Sequence, residues 1–424
     1  MRRRMATETR RARLLIGPRA VGKTTLLRQW IDSLLDNGVD GRRIVYADFE
    51  DPRLPARTSL NDVRELALRL LTPSGPLHFI LDEIHQSQDW ARWLRRLVDR
   101  SSDYYLGTDS ASAILSGGAV ETGQARFDEI RLGCLNFRDF YFLQLHPNAK
   151  SVGGGDEELD PLRAPTVLQD YLTLGGFPGH VYLRDDGEAR RLIRQDIGDK
   201  AIIKDLHRVS RGDTTLLRDL FVSLVEESGS VFDATKWSRN LAERPTRQQV
   251  AKAVDLLEGT FLLCRLPRYG ASRRHELRGH PKVYAADPGL VSAFARVADP
   301  LRDPALLGRL TETAVFRHLE ERARIDGAQL SFYNYQNRSE CDFVVSFGDS
   351  KALVEVTASM AMDQGKARAL SVVSGKLRGV HRRICVTQCR SEVVHKATGG
   401  EIHELPLWLF LDRLSRSPLR EAML

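Results

Sequence analysis

The stretch from Leu14 to Leu27, LLIGPRAVGKTTLL, restricts what this chain can become more than any other. Within it Gly17-Pro-Arg-Ala-Val-Gly22-Lys23-Thr24 fits the pattern G-x-x-x-x-G-K-[ST], with an apolar strand-like run before it and a helix-like run after it. The glycines let the backbone curl until successive N–H groups point inward at an anion, and a Cβ at Gly22 would obstruct that approach. The following helix turns its positive end to the same point. These residues predict a phosphate cradle built from Gly17, Arg19, Ala20, Val21, Gly22, Lys23, Thr24 and Thr25, with Lys23 on the β- and γ-phosphates and the Thr24 hydroxyl on Mg2+.

A second run answers the first. Leu77 to Glu83, LHFILDE, is apolar and closes on two carboxylates, as a buried parallel strand does when it delivers acids to the nucleotide edge of a sheet. Asp82 is then expected to hold Mg2+ through water and Glu83 to polarise the attacking water as general base. Further strands are expected at Arg43 to Asp48, Asp103 to Thr108 and Phe127 to Leu132. The polar end Thr108-Asp109-Ser110 should face the γ-phosphate or the water. Arg126, just before the last strand, is expected to act as a charge-sensing or arginine-finger residue, in cis or on a neighbouring subunit.

At 424 residues the chain exceeds one core, since domains average roughly 150 residues. It is 42% hydrophobic and 28% charged, as globular proteins are. No run approaches the roughly 18 apolar residues of a membrane span. The start MRRRMATETRRAR has basic residues but no apolar segment behind them, so a secretory signal is not expected and a cytoplasmic location is. Five scattered cysteines read as reduced thiols, and no zinc site is expected. The net charge of +7 tilts the chain towards an acidic partner.

The order GPRAVGKTT, ILDEIHQSQDW with Trp90, LGTDS and ARFDEIRLGCLNFRDF resembles the prokaryotic AAA-type ATPases that carry a C-terminal domain of unknown function. The resemblance implies ATP as ligand and the AAA-type strand order 5-1-4-3-2. YLTLGGFP, Tyr171 to Pro178, is similar to that family's YLxxGGFP segment, and it implies that Gly176 and Pro178 pack on adenine.

Lys150 to Asp160, KSVGGGDEELD, has no apolar period and marks a boundary. From Thr214 the chain reads helix, helix, helix, strand: Asp233 caps the second helix, Thr246 and Gln249 form a capping box on the third, and Phe261 to Leu266 is the strand. This is the succession of a winged helix-turn-helix. It leaves Arg247, Gln248 and Lys252 outward, either for DNA or on a lid over the chain's own nucleotide. The basic patch Arg265, Arg268, Arg273, Arg274, His275 and Arg278 at the wing favours DNA.

In the last third, Lys282 to Leu290 has Asp287 as a helix cap and Pro288 at the first helical position. Glu312, Asp342 and Glu355-x-Thr357 resemble the PD-(D/E)xK nuclease core, in which carboxylates hold Mg2+ and a lysine stabilises the attacking water. Thr357 stands at the lysine position, and neither Lys351 nor Lys366 has the motif's spacing. An inactive nuclease-like domain that docks a protein partner is therefore expected.

The resulting expectation is an α/β protein: a P-loop AAA-type ATPase domain over 1–148, a helical connector over 160–212, a winged helix over 213–280 and a nuclease-like domain over 281–424. Its chemistry would be Mg2+-dependent ATP hydrolysis driving a switch or motor on DNA, as a monomer or an oligomer. A nucleotide-gated interaction module with slow hydrolysis is the rival.

Overall fold

The computed structural model describes residues 11–424 except 56, 72–74, 111–125, 147–156, 184, 201–205, 207–213, 242–243, 271–278, 336–338 and 424. Two compact units divide the chain. One is built on the residues up to Gly133 and also holds Asp255–Phe261, and the other holds Cys134–Lys200, Asp213–Val254 and Leu262–Leu424.

The first unit is a sheet of five parallel strands, β1 (Ala12–Ile16), β2 (Ile44–Asp48), β3 (His78–Asp82), β4 (Tyr104–Asp109) and β5 (Phe127–Arg131), in the order β2-β3-β4-β1-β5. Read from the other edge, this is the 5-1-4-3-2 order that the resemblance implied. Strands buried on both faces need apolar residues at successive positions, and neighbours along the chain go to opposite sides. Leu14, Phe79, Leu81 and Tyr105 enter one core, while Leu15, Ile80 and Leu106 enter the other. Helix α1 (Lys23–Asp36) covers the second core with Leu27, Trp30 and Ile31. Helices α2 (Leu60–Leu70) and α3 (Trp90–Arg100) cover the first with Leu60, Ala67, Trp90, Leu94 and Leu97. Trp90 stacks on Phe127 at 5.9 Å, which ties α3 to the edge strand β5.

The second unit begins earlier than expected from the glycine-rich linker. Helix α4 (Phe137–Leu145) packs inside it: Phe137 and Phe140 meet Tyr171 edge-on at 5.7 and 5.3 Å, and the Phe137 amide donates to His318 Nε2 at 2.9 Å. Tyr171 lies on α5 (Ala164–Leu174), which is followed by α6 (Asp186–Leu192). Helices α7 (Thr215–Glu226), α8 (Ala234–Asn240) and α9 (Arg247–Glu258) come next. Their caps are those expected: Thr235 N donates to Asp233 Oδ1 at 2.8 Å, Thr246 N to Gln249 Oε1 at 2.8 Å, and Gln249 N to Thr246 Oγ1 at 3.2 Å. Strands β6 (Ser230–Val231), β7 (Leu263–Leu266) and β8 (Lys282–Ala285) form an antiparallel sheet with β8 in the middle.

Residues from all three regions expected to stand apart from 160 onward group in the second unit, Asp255–Phe261 excepted, and buried side chains cross their boundaries within it. Asp287 caps α10 (Pro288–Phe294) through Gly289 N at 2.8 Å and also accepts from Gly176 N at 3.0 Å. A Cβ on Gly175 would fall 1.8 Å from Asp287 Oδ1, so that position excludes any side chain. Tyr284 stacks on Phe316 at 4.1 Å, joining β8 to the long helix α11 (Pro304–Asp326). Burial pushes the fully enclosed Asp287 carboxyl up to about 6, opposed by the nearby Arg317.

The C-terminal sheet has six strands: β9 (Gln329–Tyr335), β10 (Ser339–Phe347), β11 (Ser350–Val356), β12 (Val380–Thr387), β13 (Val393–Ala397) and β14 (Gly400–Pro406). Their order is β13-β14-β12-β11-β10-β9, with β9, β10 and β11 antiparallel and β11, β12 and β14 parallel. Helix α12 (Gln364–Lys376) joins β11 to β12, the crossover that a parallel pair requires. Helices α13 (Leu407–Arg416) and α14 (Leu419–Met423) end the described chain. All five cysteines are free thiols. Among the described residues, no helix is long and apolar enough to cross a membrane.

Candidate nucleotide site

β1 delivers the glycine loop to the sheet's C-terminal edge, where its neighbours pin it. Gly17 N donates to Asp109 O at 3.3 Å, and Leu132 N to Ile16 O at 2.8 Å. A Cβ on Gly17 would lie 2.0 Å from the Leu132 carbonyl oxygen, so the first glycine is demanded by close passage of the chain leaving β5. Ala20 (φ 62°) and Gly22 (φ 91°) take the left-handed conformation that curls the loop. Helix α1 then starts at Lys23 with no side-chain cap on its first amides. Lys23 is 5% exposed, and its ammonium donates to the carbonyls of Gly17 at 2.9 Å and Pro18 at 2.8 Å. Arg19 pairs with Glu50 at 3.1 Å. Val21 is buried, Thr24 half-buried and Thr25 exposed.

β3 brings the two acids to the same edge. Asp82 is 2% exposed and both its oxygens are engaged: Oδ1 accepts from Thr108 Oγ1 at 2.5 Å and Oδ2 from Tyr46 OH at 3.2 Å. Glu83 leaves the strand in the left-handed conformation, with φ 48°, which is uncommon for a residue with a side chain. Its amide donates to Thr108 Oγ1 at 2.8 Å, so one hydroxyl from β4 fixes both acids. His85 Nδ1 stands 3.3 Å from Glu83 Oε2 and 3.1 Å from Asp109 Oδ1. Burial raises the Glu83 pKa, while Lys23, His85 and Arg19 pull it back down. Two cations of the glycine loop thus act on the carboxyl at the end of β3.

The donor set suits a phosphate chain and a hard divalent cation. The uncapped helix start and the Lys23 ammonium answer negative charge; the Thr24 hydroxyl could supply an oxygen ligand, and Asp82, both of whose oxygens accept protein hydrogen bonds, could reach such an ion through water.

Arg126 is not brought to this edge. The strands are parallel, and β5 aligns Phe127 with Ala12 and Arg131 with Ile16. Arg126 therefore lies at the far edge, about 17 Å of strand from the loop end of β5, where Ala12 N donates to its carbonyl. Its side chain is exposed and pairs with Asp99 at 2.5 Å. The cis arginine-finger expectation is corrected on this geometry, and Arg131 is the arginine at the loop end of β5. Gly176 belongs to the second unit, where a Cβ would fall 2.2 Å from Leu135 O; Pro178 is half-buried at the start of a short turn. Close backbone packing already accounts for the glycine.

Tyr46 and His85 were not among the expected site residues. Tyr46 lies in register with Ile80 on the neighbouring strand, and no motif spacing links it to Asp82. His85 stands inside ILDEIHQSQDW, two residues after Glu83, and its proximity to the acids was the available signal.

Residues 9–141 match the sequence family described as "AAA domain", residues 166–301 a domain of unknown function (DUF8612), and residues 307–408 another (DUF4143). An uncharacterized protein of Haemophilus influenzae is 28% identical over 66% of this chain and 68% of its own length. An uncharacterized protein of Methanocaldococcus jannaschii is 23% identical over 81% and 74%, and one of Mycobacterium tuberculosis 26% identical over 78% and 67%. Among solved structures, the Saccharomyces cerevisiae Hsp104:casein complex overlays with a TM-score of 0.28 at 16% identity, covering 65% of this chain and 56% of that one. The Aeropyrum pernix ORC1 protein in complex with DNA overlays with a TM-score of 0.28 at 15% identity, covering 69% and 88%. With its glycine loop and acidic strand on a 5-1-4-3-2 sheet, the chain carries an AAA-type P-loop domain over residues 9–141 and a domain of unknown function over residues 307–408.

Proposed function

We propose that the protein is a Mg2+-dependent ATPase working as a nucleotide switch or motor on DNA. The observation that carries the reading is the convergence of Lys23 and Arg19 on Glu83, beside an Asp82 held by Thr108 and Tyr46. The loop from Gly17 to Thr25 holds the phosphates. Thr24 and Asp82 would hold Mg2+, which offsets charge on the phosphates as the terminal bond breaks. Glu83 takes the proton of the attacking water. Arg126 acts only in trans, in an oligomer.

Thr108→Val tests the scaffold beneath this chemistry. It removes the donor to Asp82 and the acceptor for the Glu83 amide. ATP turnover, read as phosphate release, should fall about 10-fold or more with nucleotide affinity largely kept, at a stability cost of about 1–2 kcal/mol.

Support for DNA comes from α9, the third helix of a succession we read as a winged helix. Arg247, Gln248 and Lys252 are exposed there, as is Arg265 on β7, while Arg268 is engaged with the Asn334 carbonyl. Arg273, Arg274, His275 and Arg278 lie outside the described residues. ATP turnover by the full chain, measured with and without duplex and single-stranded DNA at fixed salt, should rise with DNA. Arg247→Ala and Lys252→Ala should each weaken binding and lower the salt slope by about one. No DNA affinity at low salt would sink the DNA half of the reading.

One observation favours a nucleotide-gated interaction module instead. The chain of α9 groups with the second unit up to Val254, and its last turn with the residues after it, Asp255–Phe261, groups with the unit that carries the phosphate loop. Tight ATP binding with negligible turnover would select this reading, with the C-terminal domain docking a protein partner. Either reading goes with a cytoplasmic location.

A further inference from the structure

The acids of the C-terminal domain are scattered in sequence and gathered by the sheet. Phe343 pairs with Val354 in the antiparallel register of β10 and β11, so Asp342 and Glu355 occupy neighbouring positions. Between Cys341 and Val344, β10 carries one residue more than β9 opposite it. Such a bulge bends the strand and re-aims the side chains within it, here that of Asp342. Glu312 arrives from α11 and Glu340 from β10. Asp342 is 7% exposed and Glu355 2%.

Buried carboxylates brought this close need cations, and the resemblance to PD-(D/E)xK nucleases implies Mg2+. The residues present do not fit that ion, because the chain supplies its own cations. Lys282 Nζ, from β8, lies 3.3 Å from Glu312 Oε1, 3.4 Å from Glu340 Oε1 and 3.6 Å from Asp342 Oδ1. Lys366 Nζ, from the first turn of α12, lies 3.4 Å from Asp342 Oδ2 and pairs with Glu355 Oε2. Further donors occupy the same oxygens: Val356 N reaches Asp342 Oδ2 at 2.9 Å and Tyr284 OH reaches Glu312 Oε1 at 2.6 Å. Among the described residues, no group of three or more His, Cys, Asp and Glu is disposed to hold a metal ion.

The electrostatics run the same way. Burial works against the Lys282 charge, but Glu312, Asp342 and Glu340 outweigh it and keep the ammonium protonated above the ordinary lysine range. Asp342 and Glu355 do the same for Lys366. Meanwhile Thr357, at the motif's lysine position, turns to Ser359, and Lys351 turns to the carbonyls of Asp349 and Arg378. The lysine that reaches the acids comes from a helix rather than from the strand.

We propose that this acidic centre is filled from within: the Lys282 and Lys366 ammoniums stand in place of a divalent cation and make it a clamp that fastens β8 to α11 and β10. The clamp does not recruit Mg2+. This stands apart from the nucleotide chemistry and survives if the ATPase reading fails.

The test is Mn2+ binding, followed by electron paramagnetic resonance, in full-length Lys23→Ala protein without nucleotide. That background should show no Mn2+ site in the submillimolar range. Adding Lys282→Met should create one at least ten times tighter than anything in the background, and Asp342→Asn should remove it again. A submillimolar site in the background that Asp342→Asn abolishes overturns the proposal, as does a folded Lys282→Met protein with no gain. Should Lys282→Met fail to fold by circular dichroism, Lys366→Met takes its place, since that side chain is 30% exposed and nearer the surface. Gain of the Mn2+ site there supports the clamp, and no gain overturns it.

Discussion

Glu83→Gln should lower ATP turnover by about 100-fold or more while leaving ATP affinity nearly unchanged. The amide keeps the size of the carboxylate and loses the ability to take a proton. Lys23 and Asp82 have other hydrogen-bond partners to hold them in place: Lys23 donates to the Gly17 and Pro18 carbonyls, and Asp82 accepts from Thr108 and Tyr46. Phosphate release for turnover and fluorescent-nucleotide titration for binding separate the two effects. Because burial raises the Glu83 pKa, the carboxylate is protonated at a higher pH than an ordinary glutamate, and turnover should fall on the acid side accordingly. This acid limb should vanish from whatever turnover Glu83→Gln retains. Turnover kept near the parent level would move the base elsewhere, and Asp109, 3.1 Å from His85, would be the next residue to replace.

Arg138→Ala should destabilise the second unit by about 3 kcal/mol or more. Arg138 on α4 pairs with Asp412 on α13 at 2.8 Å, with side chains 6% and 5% exposed. Its guanidinium also lies over the Phe142 ring at 4.9 Å and donates to the Glu157 carbonyl. Among the described residues, truncation leaves the buried Asp412 charge with Arg416 at 3.6 Å as its remaining ion-pair partner, and a buried charge without a close partner is costly. Urea unfolding of Arg138→Ala, Asp412→Ala and the double variant gives the coupling directly. The double variant should be less unstable than the sum of the two single ones, since it removes the orphaned charge along with its partner. Additive losses would mean that the pair acts through packing alone.

Both predictions mark where a pattern in the chain stops being informative. The glycine loop, the acids ending β3 and the caps at Asp233, Thr246, Gln249 and Asp287 were legible because each interaction spans a few residues, and so depends on local backbone geometry. The alternation of Leu14 with Leu15 and of Phe79 with Ile80 told of strands buried on two faces for the same reason. The pairing of Arg138 with Asp412 joins residues 274 apart, and no local signal marks it.

The site itself divides along this line. The amino-acid sequence by itself determined the glycine loop from Gly17 to Thr25 and the placing of Asp82 and Glu83 at a strand end, because close passage of backbone and strand-end placement demand those residue types at those spacings. Tertiary structure decided which side chains complete the two charged centres. Parallel register sent Arg126 to the far edge of the sheet and brought Thr108 and Tyr46 onto Asp82. The bulge in β10 and the first turn of α12 carried Lys366 to Asp342 and Glu355, although Thr357 occupied the motif's position. A charge is satisfied by whatever lies within a few ångströms, and distance along the chain does not enter that condition.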